Sequence, residues 1–405
     1  RPMFNAAQSN LPNDPAGGIL TLDLDDNPLG STNSQLGHVT SGNNNWNGQA
    51  TAVSAHHNAA LCYEYFLNTH SRNSLNGKGG TIISIVTIAE SDGGGMDNAF
   101  WNGHFMGYGS GRTAFADPLA KSLDVAGHEM THGVIQNTAN LVYQYQSGAL
   151  NESFADVFGV LIDRDDWTLG EDIVNTSVFP SGALRSMSNP NNGAGTNQNG
   201  WQPKHMSEYV NTSQDNGGVH INSGITNRAF YLFATQVGKD KAEKVYYSAL
   251  KNNLTQSSQF IDARLAVVKS AKDIYGDNSS EVAAARSAFD GVGIFNGSIG
   301  SGEEEEDGGD YEIDLPAVEG ENHMVVMDAS NSDPNAIYDL VLNSSNGLDS
   351  FNALTTDAFP AIRKSSVTED GSTAYFVSDD KHVYRLALNG STNAEQITQE
   401  AEWDN

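Results

Sequence analysis

The stretch Asp124-Val-Ala-Gly-His128-Glu129-Met-Thr-His132 sets two histidines four residues apart, with a glutamate directly after the first. On a helix, which Val125, Ala126, Met130 and Val134 favour, residues four apart share a face, so both imidazoles can aim at one metal ion. Glu129 lies just beside that face. It is too near His128 to be a convenient third ligand but well placed to take a proton from an attacking water, the part of a general base. The pattern is short, and a helix with two ordinary surface histidines satisfies it equally, so a third ligand must decide. Asn151-Glu152-Ser-Phe-Ala-Asp156 runs on through Val157, Phe158, Val160, Leu161 and Ile162, a strongly apolar helical pattern. Glu152 and Asp156, four apart, share a face that would otherwise be core. Buried carboxylates need a cation or hydrogen-bond donors. These residues give Glu152 as the third zinc ligand and Asp156 as the group that orients a zinc histidine, His128. The longer motif that adds a glycine and a third histidine is excluded, because those positions hold Ile135 and Thr138.

Two further stretches carry polar side chains on sharply defined local structure. Asp215-Asn-Gly-Gly-Val-His220 reads as a tight glycine turn leading into a helix, with His220 near its first turn and Asp215 close enough to fold back and orient the imidazole. A plain turn with Asp215 as the helix cap fits the same letters. Earlier, Thr81-Ile-Ile-Ser-Ile-Val-Thr-Ile-Ala89 is the strongest strand. The glycine-rich turn after it delivers Asp97-Asn98-Ala99-Phe100-Trp101-Asn102-Gly103, a second strand by its aromatic pair.

Taken together, DNAFWNG, GHEMTHGVIQNTANLVYQYQSGALNESFADVFG and DNGGVHINSG resemble, in this order and at similar spacings, the thermolysin-like family of secreted neutral metalloproteases. The likeness covers residues 15–295. It implies an α+β fold of two lobes, β-rich over residues 1–145 and α-helical over 146–297, with one catalytic zinc in the cleft between them. It also implies a secreted endopeptidase that acts as a monomer on proteins and peptides and is made as a zymogen with a pro-segment. His220 and Tyr143 would be the donors to a tetrahedral oxyanion, with Asp215 behind His220. The Asn98 side chain and the Ala99 backbone would bind an extended peptide by strand addition, and Arg185 would contact a substrate carbonyl. Leu119, Val125, Leu169 and Leu184 would line the pocket for the residue just after the scissile bond, implying a preference for bulky apolar residues there. Each of the four is equally plausible as ordinary core. Asp124, Asp163, Asp166 and Glu171, with the carbonyl of Thr168, offer hard oxygen ligands at mixed spacing, and the family binds calcium with equivalent residues. The plain alternative is a solvated acidic loop. The loop before Asp166 is shorter than in thermolysin, which points to one structural calcium rather than an adjacent pair.

The elements that must hold these residues are legible in outline. A chain of 405 residues with 38% hydrophobic side chains allows two or three domains with real cores. Ile19–Asp25 alternates as a strand, residues 49–69 have helical spacing, and helices are expected at 151–163, 219–237, 239–253, 258–275 and 279–290. His56 and His57 fall on the first helix as packing residues. Cys62, the single cysteine, excludes an internal disulfide and reads as a buried structural thiol. The net charge of −29 disfavours nucleic acid and anionic membranes as partners, and no apolar run reaches the length of a membrane span. The amino terminus, Arg-Pro-Met-Phe, reads as neither a signal peptide nor a pro-segment.

Charge is unevenly spread. Residues 298–405 carry 4 basic and 23 acidic side chains, a net of −19, which leaves −10 for the rest. Residues 298–310 read as an acidic, glycine-rich linker and 311–405 as a β-rich extension outside the family likeness, with the segment 368–388 similar to one β-propeller blade. Two other functions fit the sequence less well. A zinc aminopeptidase should offer an acidic anchor for a free amino terminus beside the zinc helix, and no such motif is found. A binding protein with a decayed protease domain would have lost Glu129 or His220, and both are present.

Overall fold

The computed structural model describes residues 17–30, 36–43, 45–192 and 199–295, and beyond them 322–327, 337–342, 348–353, 366–367, 373–377, 382–387 and 395–398. The expected linker at 298–310 lies outside these. The chain divides into two compact units, Arg1–Ser301 and Gly302–Asn405.

The first unit begins with a five-stranded mixed sheet of β1 (Ile19–Pro28), β2 (Gly37–His38), β3 (Ile82–Ala89), β4 (Ala99–Trp101) and β5 (Met106–Gly109), in the order β2-β1-β3-β5-β4. The pairs β1–β3 and β3–β5 are parallel, while β2 and β4 lie antiparallel at the two edges. Strand alternation explains its two apolar faces. Leu20, Leu22 and Leu24 meet Ile83, Ile85 and Ile88 on one side, with Phe100 and Phe105 packed against them. On the other side Ile82 and Val86 join the main core beneath α1 (Ala50–His70). There Thr21 Oγ1 lies 3.1 Å from His56 Nδ1, so His56 is a hydrogen-bonded packing residue. Cys62 is fully buried in the same helix, and burial pushes its thiol well up.

Two helices carry the site, α2 (Leu123–Gln136) and α3 (Tyr145–Ile162). They cross at close range because glycines face each other. A Cβ on Gly159 would sit 2.8 Å from the Asp124 carbonyl oxygen, and one on Gly127 would sit 3.3 Å from Gly159 Cα. That approach brings Glu152 to His128 and His132. The α3 helix starts six residues before the expected 151, since the weak helix formers Ser147 and Gly148 hid its first turns. The helical lobe continues through α4 (Asp215–Val237), α5 (Lys239–Ser248), α6 (Phe260–Tyr275) and α7 (Ser280–Asp290). The single helix expected at 239–253 is α5 followed by a wider π turn at Ala249–Asn253. Short strands β6 (Thr168–Leu169) and β7 (Arg185–Ser186) pair below α3.

The second unit holds two antiparallel sheets where one blade was expected. One has three strands, with Ile337–Leu342 between Leu348–Ala353 and Asn322–Met327. The other has four, running Ser366–Val367, Thr373–Val377, Val383–Ala387 and Glu395–Gln396, and includes the strand pair read from 368–388. A single propeller blade therefore does not describe this extension.

Candidate metal centre and active site

Helix periodicity puts His128 and His132 on one face of α2. The His128 Nδ1 hydrogen bond goes to Asp156 Oδ1 (2.7 Å) and that of His132 Nδ1 to Asn151 Oδ1 (2.8 Å). Both acceptors are oxygens, so each Nδ1 carries a proton and each Nε2 is left facing inward. The two Nε2 atoms lie 3.0 Å apart. Glu152 Oε2 is 3.5 Å from the first and Oε1 3.4 Å from the second. Glu152 is wholly buried, yet its Oε2 has no hydrogen-bond partner.

Alone, the histidine pair can hold one proton between its facing nitrogens. Burial pushes both down. For His128, Asp156 and Glu152 outweigh that and raise it above its ordinary value, whereas His132 is left at about 4. A dication would satisfy both nitrogens and the orphaned carboxylate oxygen at once. Among the described residues, His128, His132 and Glu152 are the one group of three metal-ligating side chains whose ligand atoms lie within 4.8 Å of one another. Two imidazoles and a carboxylate form a donor set that fits zinc with a position to spare.

Around this centre the carboxylates are held ionised. Burial opposes ionisation of Glu152, but His220, His132, His128 and Arg185 together keep it far below the usual range. Asp156 is likewise lowered, with Arg185 and His128 overcoming burial. Arg185 donates from Nη2 (2.7 Å) and Nε (3.1 Å) to Asp156 Oδ1. Glu129 differs. Burial raises its carboxyl to about 7, with Glu152 adding to the rise and His128 opposing it.

On the far side of Glu152 stand Tyr143 and His220. The Tyr143 hydroxyl donates to Glu152 Oε1 and lies 3.1 Å from His220 Nε2. His220 is placed by a left-handed turn: Asp215, Asn216, Gly217 and Gly218 all have positive φ, between 50° and 88°. Asn and Asp tolerate that conformation and glycine adopts it freely. The turn brings the Asp215 carboxylate back onto His220, Oδ2 to the backbone N–H (2.8 Å) and Oδ1 to Nδ1 (2.7 Å). Burial lowers the imidazole, but Glu152 and Asp215 more than reverse this and lift it to about 9.

These groups open on a cleft of about 640 Å³. It is lined by Asn98, Ala99, Phe100 and Trp101 of the β4 segment, by His128, Glu129, His132 and Gln136 of α2, and by Tyr143, Glu152 and His220 among others. Several contributors escape sequence reasoning. Trp101 Nε1 donates to Gln136 Oε1 (2.7 Å), and Gln202 Nε2 donates to the His220 carbonyl (2.6 Å). Asp97 accepts from four backbone N–H groups, those of Arg112, Thr113, Ala114 and Phe115, and so ties the start of the edge strand to the next loop. Trp101, Asp97, Gln136 and Asn151 stand in the motifs above without a signal for these contacts, and Gln202 stands in none.

Comparison with known proteins settles the lineage. Residues 4–136 match the family described as thermolysin metallopeptidase, catalytic domain, and residues 139–294 match its alpha-helical domain. Neutral protease NprE of Bacillus pumilus is 46% identical over 250 residues, which is 61% of this chain and 78% of that protein. The chain belongs to the thermolysin family of metallopeptidases. It is thus a zinc metalloendopeptidase, with the same 61% of its length also matching bacillolysin of Bacillus amyloliquefaciens (46% identity) and extracellular elastase of Staphylococcus epidermidis (44%). The match spans less than half of either of those proteins, 45% and 47%. A solved structure, the precursor of protealysin from Serratia proteamaculans, is similar at a TM-score of 0.60 and 31% identity, over 69% of this chain and 89% of that one.

Other expected residues of this thermolysin-family chain lie away from the cleft lining. Leu119, Val125 and Leu169 are buried in the main core, and Leu184 packs against it half-buried. In the acidic group Asp124 is buried, with its oxygens accepting from Val125 N (2.6 Å), Gly170 N (2.5 Å) and the Ser122 hydroxyl. Thr168 meets this group through its hydroxyl, 2.8 Å from Asp166 Oδ1 and 3.0 Å from Glu171 Oε2.

Proposed function

We propose that this chain hydrolyses internal peptide bonds of extracellular proteins, with zinc on His128, His132 and Glu152. The observation that carries this is the wholly buried Glu152 with an unpartnered oxygen beside two facing imidazole nitrogens. Bound zinc would supply Lewis-acid polarisation of the carbonyl and acidify the attacking water. The extended substrate adds to the edge strand β4 through the Ala99 backbone, with the Asn98 side chain as a further anchor. Glu129, whose carboxyl sits near neutrality, takes the proton of the attacking water and passes it to the leaving amine. His220, protonated at neutral pH, and the Tyr143 hydroxyl donate to the oxygen that gains charge. Asp215 fixes the direction of His220 and helps to keep it protonated. Arg185 reaches a substrate carbonyl from its seat on Asp156.

The finer features follow the family likeness. Bulky apolar residues are preferred after the scissile bond, in a pocket floored by Leu119, Val125, Leu169 and Leu184. One structural calcium sits at Asp124, Asp163, Asp166, Thr168 and Glu171. Secretion is supported by the extracellular elastase among its relatives, and a pro-segment by the protealysin precursor. The catalytic unit is monomeric and ends near residue 297, so the extension is dispensable for cleaving short peptides.

The test is digestion of an unstructured protein with sequencing of the new ends, before and after zinc chelation and again after zinc is restored. Glu129→Gln should keep zinc and lose about 10²- to 10⁴-fold in rate, because an amide cannot accept the proton. Full activity in the zinc-loaded variant would overturn the mechanism.

A further inference from the structure

Asn227 lies two turns beyond His220 on α4, so the two share a helix face. His220 faces Glu152 on α3, at 3.4 Å. Asn227, wholly buried, donates from Nδ2 to Asp156 Oδ2 at 2.8 Å, one turn along α3 from Glu152. The α3 and α4 helices are thus joined by two polar contacts, one to the third metal ligand and one to the carboxylate behind the first.

The oxygens of Asp156 are divided. Oδ1 accepts from Arg185 and from His128 Nδ1, and Oδ2 accepts from Asn227. A carboxylate pinned only through Oδ1 could swing about its own bond and carry the His128 hydrogen bond with it. Pinned at both oxygens, its plane is fixed, and so is the direction of His128 Nε2. The Asn227 side chain keeps an unmet need for this: its Oδ1 is buried without a partner. Turning the amide over would set that oxygen against the carboxylate, so charge dictates which end faces Asp156. An isosteric leucine would remove that orphan but strip the buried Asp156 Oδ2 of its donor, so the half-satisfied amide is kept for the carboxylate. An orphaned buried polar group calls for a reason beyond packing.

We propose that Asn227 is a positioning residue for the metal centre. It holds Asp156 so that His128 presents Nε2 to zinc, and it ties that alignment to the helix that carries His220. The inference rests on the zinc reading above, and the test separates the two. Zinc affinity is measured by chelator competition on the purified full chain and on Asn227→Leu, which keeps the volume and removes the donor. Tight zinc binding by the unsubstituted chain tests the reading itself. Given that, Asn227→Leu should bind zinc about 10- to 100-fold more weakly, the range seen when outer partners of metal ligands are lost. At saturating zinc its kcat on a short peptide should fall with KM nearly unchanged, because the substrate does not touch Asn227. A merely structural role would lower the melting temperature without moving zinc affinity. A folded Asn227→Leu with the zinc affinity of the parent chain overturns the proposal. Should that variant not fold, Asn227→Ala carries the same comparison, with unchanged zinc affinity again overturning it.

Discussion

The stretch from the middle of α3 to the loop beyond it has a catalytic end and an acidic end, and the two hold their carboxylates in opposite ways. At Glu152 and Asp156 the chain supplies its own positive partners. His220, His132, His128 and Arg185 keep Glu152 ionised despite complete burial, and Arg185 and His128 do the same for Asp156. At the other end, in the loop past α3, Asp163 and Glu171 lie among the carboxylates of Asp165, Asp166 and Asp172, with Asp124 beside Glu171. Burial raises Asp163, Glu171 and Asp124, and repulsion from these neighbours adds to it; Asp124 reaches about 7, with Glu171 the second cause after burial. A site built for chemistry must be organised before substrate arrives, so its charges are paired within the protein. A site built for a structural ion can leave its charges unpaired until the ion binds.

With the zinc ligands and Glu129 in place, removing the catalytic end's outermost cation should have the largest effect. His220→Ala takes away both an oxyanion donor and a positive neighbour of Glu152. Loss of one such donor costs about 10²- to 10³-fold in kcat. Zinc should stay bound, since His220 is not among the three ligands, and KM for a short peptide should change little. Steady-state kinetics on zinc-loaded protein separates these quantities. A change confined to KM would mean that His220 binds substrate rather than the developing charge.

How much of this contrast the sequence reveals depends on the range of the interaction. The paired histidines, Glu152 and Asp156 are legible because a helix turns spacing into direction. The Asp215–His220 contact is legible because the left-handed turn between them needs Asn and glycine, and those letters are there. The partners that set the electrostatics are less so. Arg185 was placed only by family likeness, and Asn227 carries no local signal, since its partner Asp156 lies 71 residues away on another helix. The same holds for Trp101 with Gln136. The first turns of α3 are not legible because Ser147 and Gly148 are poor helix formers that sit there in tertiary packing. In the extension, alternation reveals strands but not how they divide between sheets, which is why one blade was expected where two sheets stand.

The acidic end should show its unpaired charge in the pH dependence of stability. In the folded chain Asp124 keeps its proton up to about pH 7, against about 3.9 when unfolded. The stability linked to that proton is therefore complete below the unfolded value and is lost as pH rises through about 7. A calcium ion held there would act in the opposite sense, because it would bind the ionised carboxylates. Added calcium should stabilise the protein more at pH 8 than at pH 5, by about 2.7 kcal/mol at a hundredfold excess over its Kd. Calorimetry on Glu129→Gln, which cannot digest itself, reads this directly. Equal melting temperatures with and without calcium at pH 8 would show that this end needs no ion, and the contrast between the two ends would fail.

The smallest effect concerns a cation that the chain does supply there. Lys239, at the start of α5, donates from Nζ to the carbonyls of Val160 (3.2 Å), Arg164 (3.0 Å) and Asp166 (2.8 Å), and lies 4.2 Å over the Trp167 ring. Val160 is in the last turn of α3, where carbonyls lack helical partners and favour a positive charge. The ammonium is half-buried and somewhat lowered, with burial the larger cause and Arg164 the next. It therefore closes the backbone of the acidic turn but leaves the carboxylates of Asp124 and Glu171 with hydroxyl and N–H donors and no cation among the described residues. Lys239→Met keeps most of the stem and removes the three donors, which should cost about 1–2 kcal/mol for a partly solvated group. The melting temperature should fall by a few degrees with or without calcium, since the lysine serves carbonyls and the ion serves carboxylates. Two results would redraw that division. A variant as stable as the parent would mean that water replaces the ammonium without loss. A loss fully restored by calcium would place lysine and ion on the same oxygens.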